Sequence, residues 1–590
     1  MIGRLAAFLL LLGLATGALG AQRSADISLI PWPASVESQG GTFTLDSQTQ
    51  IVYSGDARVR AVAHYFGELL ERTRGLRPGI VQGSAQDAPK RSVVFTLGNM
   101  VGAGPEAYQL DVSSRGAVIS AVDPRGLFNG AVTLWQLASQ QSTVVSEVRI
   151  PGIRINDQPR MRWRGLLLDS ASQYQSTAFI KRYIDFMALH KLNVLHWHLV
   201  DDQAWRLQIP KYPKLTGGQR SYSAEDVREV LEYAATRNVM VVPGLEMPGH
   251  ATAAVTAYPA LRAADTPGGS TNLYNVEEET FAFLDAVFTH VAALFPAEYI
   301  HIGAGDVAKD QWKQSTSVQA RMRELGIANE VRLQRYFFER VSNLIGKHKR
   351  RIVGWDAIYG GGVPADSIIM TSRGLDGALG PVASGFEVIV SSGAMLSFNR
   401  PQSTAAVNDQ GAAEILSLGD VYRFDPAPSA LSGQDRARLV GVQANMWTGA
   451  DGNEEAIERM TFPRAAALAE IAWTPSADLR WPDFQPRMVA MMGRYSRLGV
   501  RYSDEAFRVM AFKRGESAGR VSVELAKQVP LGEIRFTTNG AEPTAKSPTY
   551  TDVFQVPRAT VIKAAVFYNG DLLSRTTAID VNTDIAGGPM

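Results

Sequence analysis

Between Pro159 and about residue 505, eight short runs with strand character alternate with stretches of helical periodicity, and this alternation constrains the fold more than any other feature of the chain. The runs are Gly165–Leu168, Val194–Leu199, Val239–Val242, Tyr299–Ile302, Arg351–Gly354, Ser367–Met370, Glu387–Val390 and Gly441–Asn445. Eight strands with helices between them predict a parallel sheet closed on itself, an α/β (β/α)₈ TIM barrel. The helices carry their own start signals. Ser176 and Thr177 precede an amphipathic segment to Leu189, and Ser223-Ala-Glu-Asp226 opens another with a serine cap and an acidic first turn.

Two smaller regions flank the barrel. Residues 22–158 combine strand-like runs, Ser92–Leu97 and Tyr108–Val112, with a strong helical stretch at Val59–Arg72, which predicts an N-terminal α+β domain. Residues 512–583 alternate short strands around an Asn539-Gly540 turn and predict a small C-terminal β-sandwich module. At the other end, Arg4 precedes the apolar run Leu5–Leu14, and the small residues Ala18, Gly20 and Ala21 follow. That layout predicts a cleaved signal peptide over residues 1–21 and export to a periplasm or the outside. The apolar run is short for a membrane span, so none is expected after cleavage.

Composition narrows the partners. With 59 basic and 58 acidic residues the chain has no long-range field to recruit nucleic acid or an anionic membrane. It has no cysteine, and its eight histidines are dispersed, so neither a metal nor another cofactor is expected. A neutral partner fits better.

In a barrel of this kind chemistry sits where the strands end. Asp169 follows the first run, and His196, His198, Asp201, Asp202, Trp205 and Arg206 lie in or after the second. His250 follows the third, His301 and Asp306 the fourth, Trp355 and Asp356 the fifth, and Trp447 the eighth. Tryptophans beside carboxylates suit a sugar, which offers a C–H face to stack on and hydroxyls to bond. His196, His198 and Asp169 flank buried strands and serve equally well as satisfied structural groups.

Longer segments carry a resemblance. Arg164-Gly-Leu-Leu-Leu-Asp169, Asn193-Val-Leu-His-Trp-His-Leu-Val-Asp-Asp-Gln203, Met247-Pro-Gly-His-Ala251 and Phe462-Pro-Arg-Ala-Ala-Ala-Leu-Ala-Glu-Ile-Ala-Trp473 resemble the barrel of family 20 β-N-acetylhexosaminidases. Leu29-Ile-Pro-Trp-Pro33 resembles that family's N-terminal domain, and Ile534-Arg-Phe-Thr-Thr-Asn-Gly-Ala-Glu-Pro543 the C-terminal module of chitobiase-like members. The resemblance implies a retaining glycosidase whose nucleophile is the substrate's own 2-acetamido oxygen. A Glu protonates the leaving oxygen, and the Asp before it orients the acetamide. It also implies sugar contacts for Arg164, Asp201, Trp355 and Trp447, a supporting catalytic role for His250, and glycans containing N-acetylhexosamine, such as chitin or peptidoglycan fragments, as partners.

The chain departs from the family pattern at the residues that do this chemistry. The family's His-Ile-Gly-Gly-Asp-Glu reads His301-Ile-Gly-Ala-Gly305-Asp306 here, and the spacing on to Lys309 and Trp312 leaves no room for an insertion. Gly305 thus replaces the orienting Asp, and Asp306, one methylene shorter, replaces the acid. Ser172, Gly244, Glu246, Ala357, Ser372, Ser397 and Gly449 likewise replace the family's usual pocket residues. Two functions remain open: a hexosaminidase with Asp306 as general acid, and a non-catalytic protein that binds the glycan or serves as an interaction scaffold. Losing both halves of the dyad costs about 6–10 kcal/mol of transition-state stabilisation, which favours the second.

Overall fold

The structure is a computed structural model that describes residues 27–140, 146–263, 272–305, 309–403, 414–428, 431–449, 452–582 and 586–587. The signal segment expected over residues 1–21 and the candidate acid Asp306 lie outside the described residues.

The eight predicted runs become the eight strands of one closed parallel barrel: β1 (Trp163–Asp169), β2 (Val194–Val200), β3 (Met240–Met247), β4 (Tyr299–Gly303), β5 (Arg351–Trp355), β6 (Ile368–Thr371), β7 (Glu387–Val390) and β8 (Leu439–Met446). They pair in chain order, and β8 closes on β1 with Gly441 opposite Trp163 and Met446 opposite Leu168. Leu167, Val242, Val353, Trp355, Met370 and Ile389 fill the lumen. The barrel is therefore a packed core and not a channel. The helix Thr177–Ala188 starts where Ser176 accepts the Phe179 amide, and Ala224–Thr236 starts at a capping box between Ser223 and Asp226.

One boundary differs from expectation in a way that matters for the site. The sequence reading ends the third strand at Val242 and leaves Gly244 and Glu246 in the loop that follows. In the folded protein β3 continues to Met247, since Gly244 pairs with His198 on one side and His301 on the other. A strand bonded on both flanks overrides the local preference. Gly244 and Glu246 are therefore buried strand residues instead of loop residues, and a Cβ on Gly244 would lie 2.4 Å from His196 Nε2.

The N-terminal domain is a seven-stranded sheet carrying the helices Ala57–Arg74 and Pro124–Ala138. It docks through buried charge: Lys191, just before β2, places Nζ 3.1 Å from Asp157 Oδ2, and the Trp473 indole donates to Asp157 Oδ1 at 2.9 Å. The C-terminal module packs two small sheets around Val521, Val523, Ile534, Ile562 and Val566. Asp504 ties it to the barrel domain by accepting from Arg575 Nη2 at 2.8 Å. Among the described residues no helix is long and apolar enough to cross a membrane.

Candidate functional site

The strand ends converge as the barrel requires, each for its own local reason. At the end of β1, Asp169 is buried and spends its carboxylate on backbone, accepting from the Ser172 amide at 2.9 Å and the Thr448 amide at 3.2 Å. It pins the end of β1 to the segment after β8. On β2, His198 donates from Nε2 to Asp201 Oδ2 at 2.9 Å. Beyond β3, His250 holds a left-handed backbone (φ 54°), which turns its Nδ1 to within 2.9 Å of Asp201 Oδ1 and 3.4 Å of Asp202 Oδ2.

This cluster polarises its members. The Asp201 bond, followed by the Asp202 contact, lifts the His250 pKa to about 11, so the ring is a cation at neutral pH. Burial acts to raise the Asp201 pKa, but the bonds from His198 and His250 outweigh it and hold the carboxylate below its usual range. Burial drags His198 down, yet its bond to Asp201 and the fields of Asp169 and Glu246 leave it above an ordinary imidazole. Asp201, Asp202 and His250 present ligand-type atoms within 4.8 Å of one another.

Below this layer lie groups that the sequence reading placed elsewhere or left open. Glu246 is buried under the mouth, accepts from the Trp355 indole, and is pushed up in pKa by burial. His301 accepts the Gly303 amide on Nδ1 at 3.1 Å, and burial lowers its pKa to about 3. His196 accepts from Gln443 on Nδ1 at 3.2 Å and lies 4.1 Å from His301 with the rings tilted by 37°, and burial lowers its pKa as well, so both rings are neutral.

Above it opens a cavity of about 450 Å³ lined by residues from the ends of β4 to β8, among them Gly305, Trp355, Asp356, Arg373, Asn445 and Trp447. The Trp355 and Trp447 rings lie 6.2 Å apart at 46°, and Trp447 also meets the edge of His198 at 5.1 Å. Asp356, on the cavity lining, accepts from the Ser372 amide at 2.8 Å and the Arg373 guanidinium at 3.2 Å. Gly305 lies beside the cluster: a Cβ built on it would stand 3.7 Å from His250 Nε2.

Of the six candidate residues, Asp201, His250, Trp355 and Trp447 gather here, and Asp306 is outside the described residues. Arg164 is corrected. It is the second residue of β1, about five residues or ~16 Å from the strand's C-terminal end, with its guanidinium buried against Glu106 of the N-terminal domain (Nη1 to Oε2, 3.1 Å) and the Met161 carbonyl (2.8 Å). It joins domains and touches no sugar site. Sequence reasoning missed Ser391 and Asn445, which bond each other at 2.9 Å on the cavity wall. Their signal was polar residues at the ends of otherwise apolar runs.

Residues 161–476 match the glycosyl hydrolase family 20 catalytic domain, residues 26–158 match domain 2 of that family, and residues 512–578 match the chitobiase/β-hexosaminidase C-terminal domain. The chain belongs to glycosyl hydrolase family 20. A β-hexosaminidase of Porphyromonas gingivalis is 30% identical over 585 residues, covering 94% of this chain and 74% of that protein. A β-N-acetylhexosaminidase of Cellulomonas fimi is 31% identical, covering 81% and 96%. Among solved structures, the exo-β-N-acetylglucosaminidase of Vibrio harveyi in complex with N-acetylglucosamine superposes with a TM-score of 0.74 at 27% identity, covering 81% of this chain and 78% of that one. Within this family 20 scaffold, Gly305, Ala357, Ser372 and Ser397 line the cavity.

Proposed function

We propose that this family 20 chain binds N-acetylhexosamine glycans, such as chitin or peptidoglycan fragments, at the barrel mouth with hydrolytic power reduced or lost. One observation carries the reading. His250, held protonated by Asp201, stands beside Gly305, where the polypeptide offers no side chain to orient an acetamide. The loss of a charge-stabilising partner alone costs about 10²–10³ in rate. Trp447, partly exposed on the cavity lining beside the largely buried Trp355, meanwhile keeps an apolar surface on which a pyranose can stack. Export belongs to the same proposal and rests on the leader-like residues Arg4 and Leu5–Leu14.

The retained Asp201–His250 pair favours the second reading, an enzyme with Asp306 as its acid. Calorimetric titration with a chito-oligosaccharide, beside turnover of an aryl β-N-acetylglucosaminide, separates the two. A binder loses about 1–3 kcal/mol of affinity on Trp355→Ala or Trp447→Ala and is indifferent to Asp306→Ala. An enzyme keeps ground-state binding in Asp306→Ala while turnover collapses. If no glycan binds and none is cleaved, both readings fail and the barrel is an interaction scaffold.

A further inference from the structure

The charges at the mouth bear on which N-acetylhexosamine glycan it accepts. Resting on the glycan reading, we infer that the mouth selects glycans that carry a carboxylate substituent, as the muramic-type units of peptidoglycan do, and that Arg373 receives that carboxylate.

Arg373 and Asp356 are the only charged residues on the described lining of the cavity. Asp356 opens the turn after β5, Arg373 lies two residues past the end of β6, and the pairing of those strands brings them together. The carboxylate is taken up by its neighbours and turned inward. Its Oδ2 accepts from the Ser372 amide at 2.8 Å and the Ser372 hydroxyl at 3.0 Å, and its Oδ1 accepts from Arg373 Nε at 3.2 Å. The Asp356 side chain is 16% exposed, whereas that of Arg373 is 65% exposed. The same order holds in the neighbouring cluster: the His250 imidazolium is 41% exposed, and the Asp201 and Asp202 side chains that face it are 14% and 29% exposed. A ligand entering the mouth therefore meets cations before it meets carboxylates.

The guanidinium also keeps a free edge. Nε and Nη2 both lie 3.2 Å from Asp356 Oδ1, which leaves the edge between Nη1 and Nη2, and among the described residues no other carboxylate pairs with it. That edge matches the two oxygens of a carboxylate. The rest of the lining brings no competing charge, since Ala357, Ser372, Ser391 and Ser397 are small and neutral. A volume of about 450 Å³ admits a sugar ring together with its substituent. A chitin fragment leaves this guanidinium to water, whereas a lactyl ether on the ring gives it a charge-assisted bond.

The test titrates the full chain by calorimetry with three probes of equal length: N,N′-diacetylchitobiose, the β-linked disaccharide of N-acetylglucosamine and N-acetylmuramic acid, and that same muramic disaccharide with its carboxylate converted to a methyl amide. The acid is expected to bind about tenfold tighter than either neutral probe at low salt, with a margin that shrinks as ionic strength rises. In Arg373→Gln the acid and its amide should bind within about twofold of each other, and a general loss of affinity cancels because the ratio is taken within one variant. An acid that binds no tighter than its amide or than chitobiose in the native chain, or a margin that survives Arg373→Gln, overturns the inference and leaves glycan binding standing. If none of the three probes binds, the glycan reading falls and this inference falls with it.

Discussion

Gly303 sits at the end of β4 with φ +67°, and a Cβ there would come within 1.8 Å of Glu246 Oε2 and 2.1 Å of its carboxyl carbon. Glu246 is buried and accepts from the Trp355 indole, so moving its carboxylate aside costs that bond. Gly303→Ala should therefore cost about 2–5 kcal/mol, the sum of overpacking and a left-handed alanine. In a Glu246→Ala background only the backbone component of about 1–2 kcal/mol should remain. Denaturant unfolding of the two single variants and the double variant measures this coupling, and equal costs in both backgrounds would show that the contact does not matter. The sequence shows that a glycine lies beside a strand end. It does not show that a glutamate from β3 presses on it, because that contact exists only after the barrel closes.

The elements themselves were largely legible. Helix starts at Ser176 and Ser223 and all eight barrel strands follow from local capping and periodicity. What local rules missed was the length of β3 and the role of Arg164, since both depend on partners distant in the chain. The joint between the N-terminal domain and the barrel is of this kind. Lys191 Nζ and the Asp157 carboxylate are both buried at 3.1 Å, and Tyr108 Oη accepts from the same Nζ at 3.0 Å. Lys191→Met strips a buried carboxylate of its counter-charge and should lower stability by about 3–5 kcal/mol in urea unfolding. A loss below about 1 kcal/mol would mean that Tyr108, Trp473 and the Ala34 amide satisfy Asp157 without the lysine.

For the molecule as a whole, the histidines set opposite limits on pH. His301, at about 3, and His196 are held neutral by burial, so the unfolded chain binds more protons than the native one once pH falls below about 6.5. Stability should drop from there toward pH 3. His250 acts in the other direction: its contribution is complete below about pH 6.5 and is lost as pH climbs toward 11. Melting temperatures between pH 4 and 7 should fall less steeply with acid in His301→Gln than in the native chain, and parallel curves would remove His301 from the account. The sequence by itself determined the class and order of domains, because strand–helix alternation and capping act between near neighbours. It also determined that position 305 carries no side chain, because a glycine is a glycine in any fold. Only the tertiary structure decided which charges meet there, because burial and pairing, which raise His250 and lower His301, arise when strands far apart in the chain are brought to within a few ångströms.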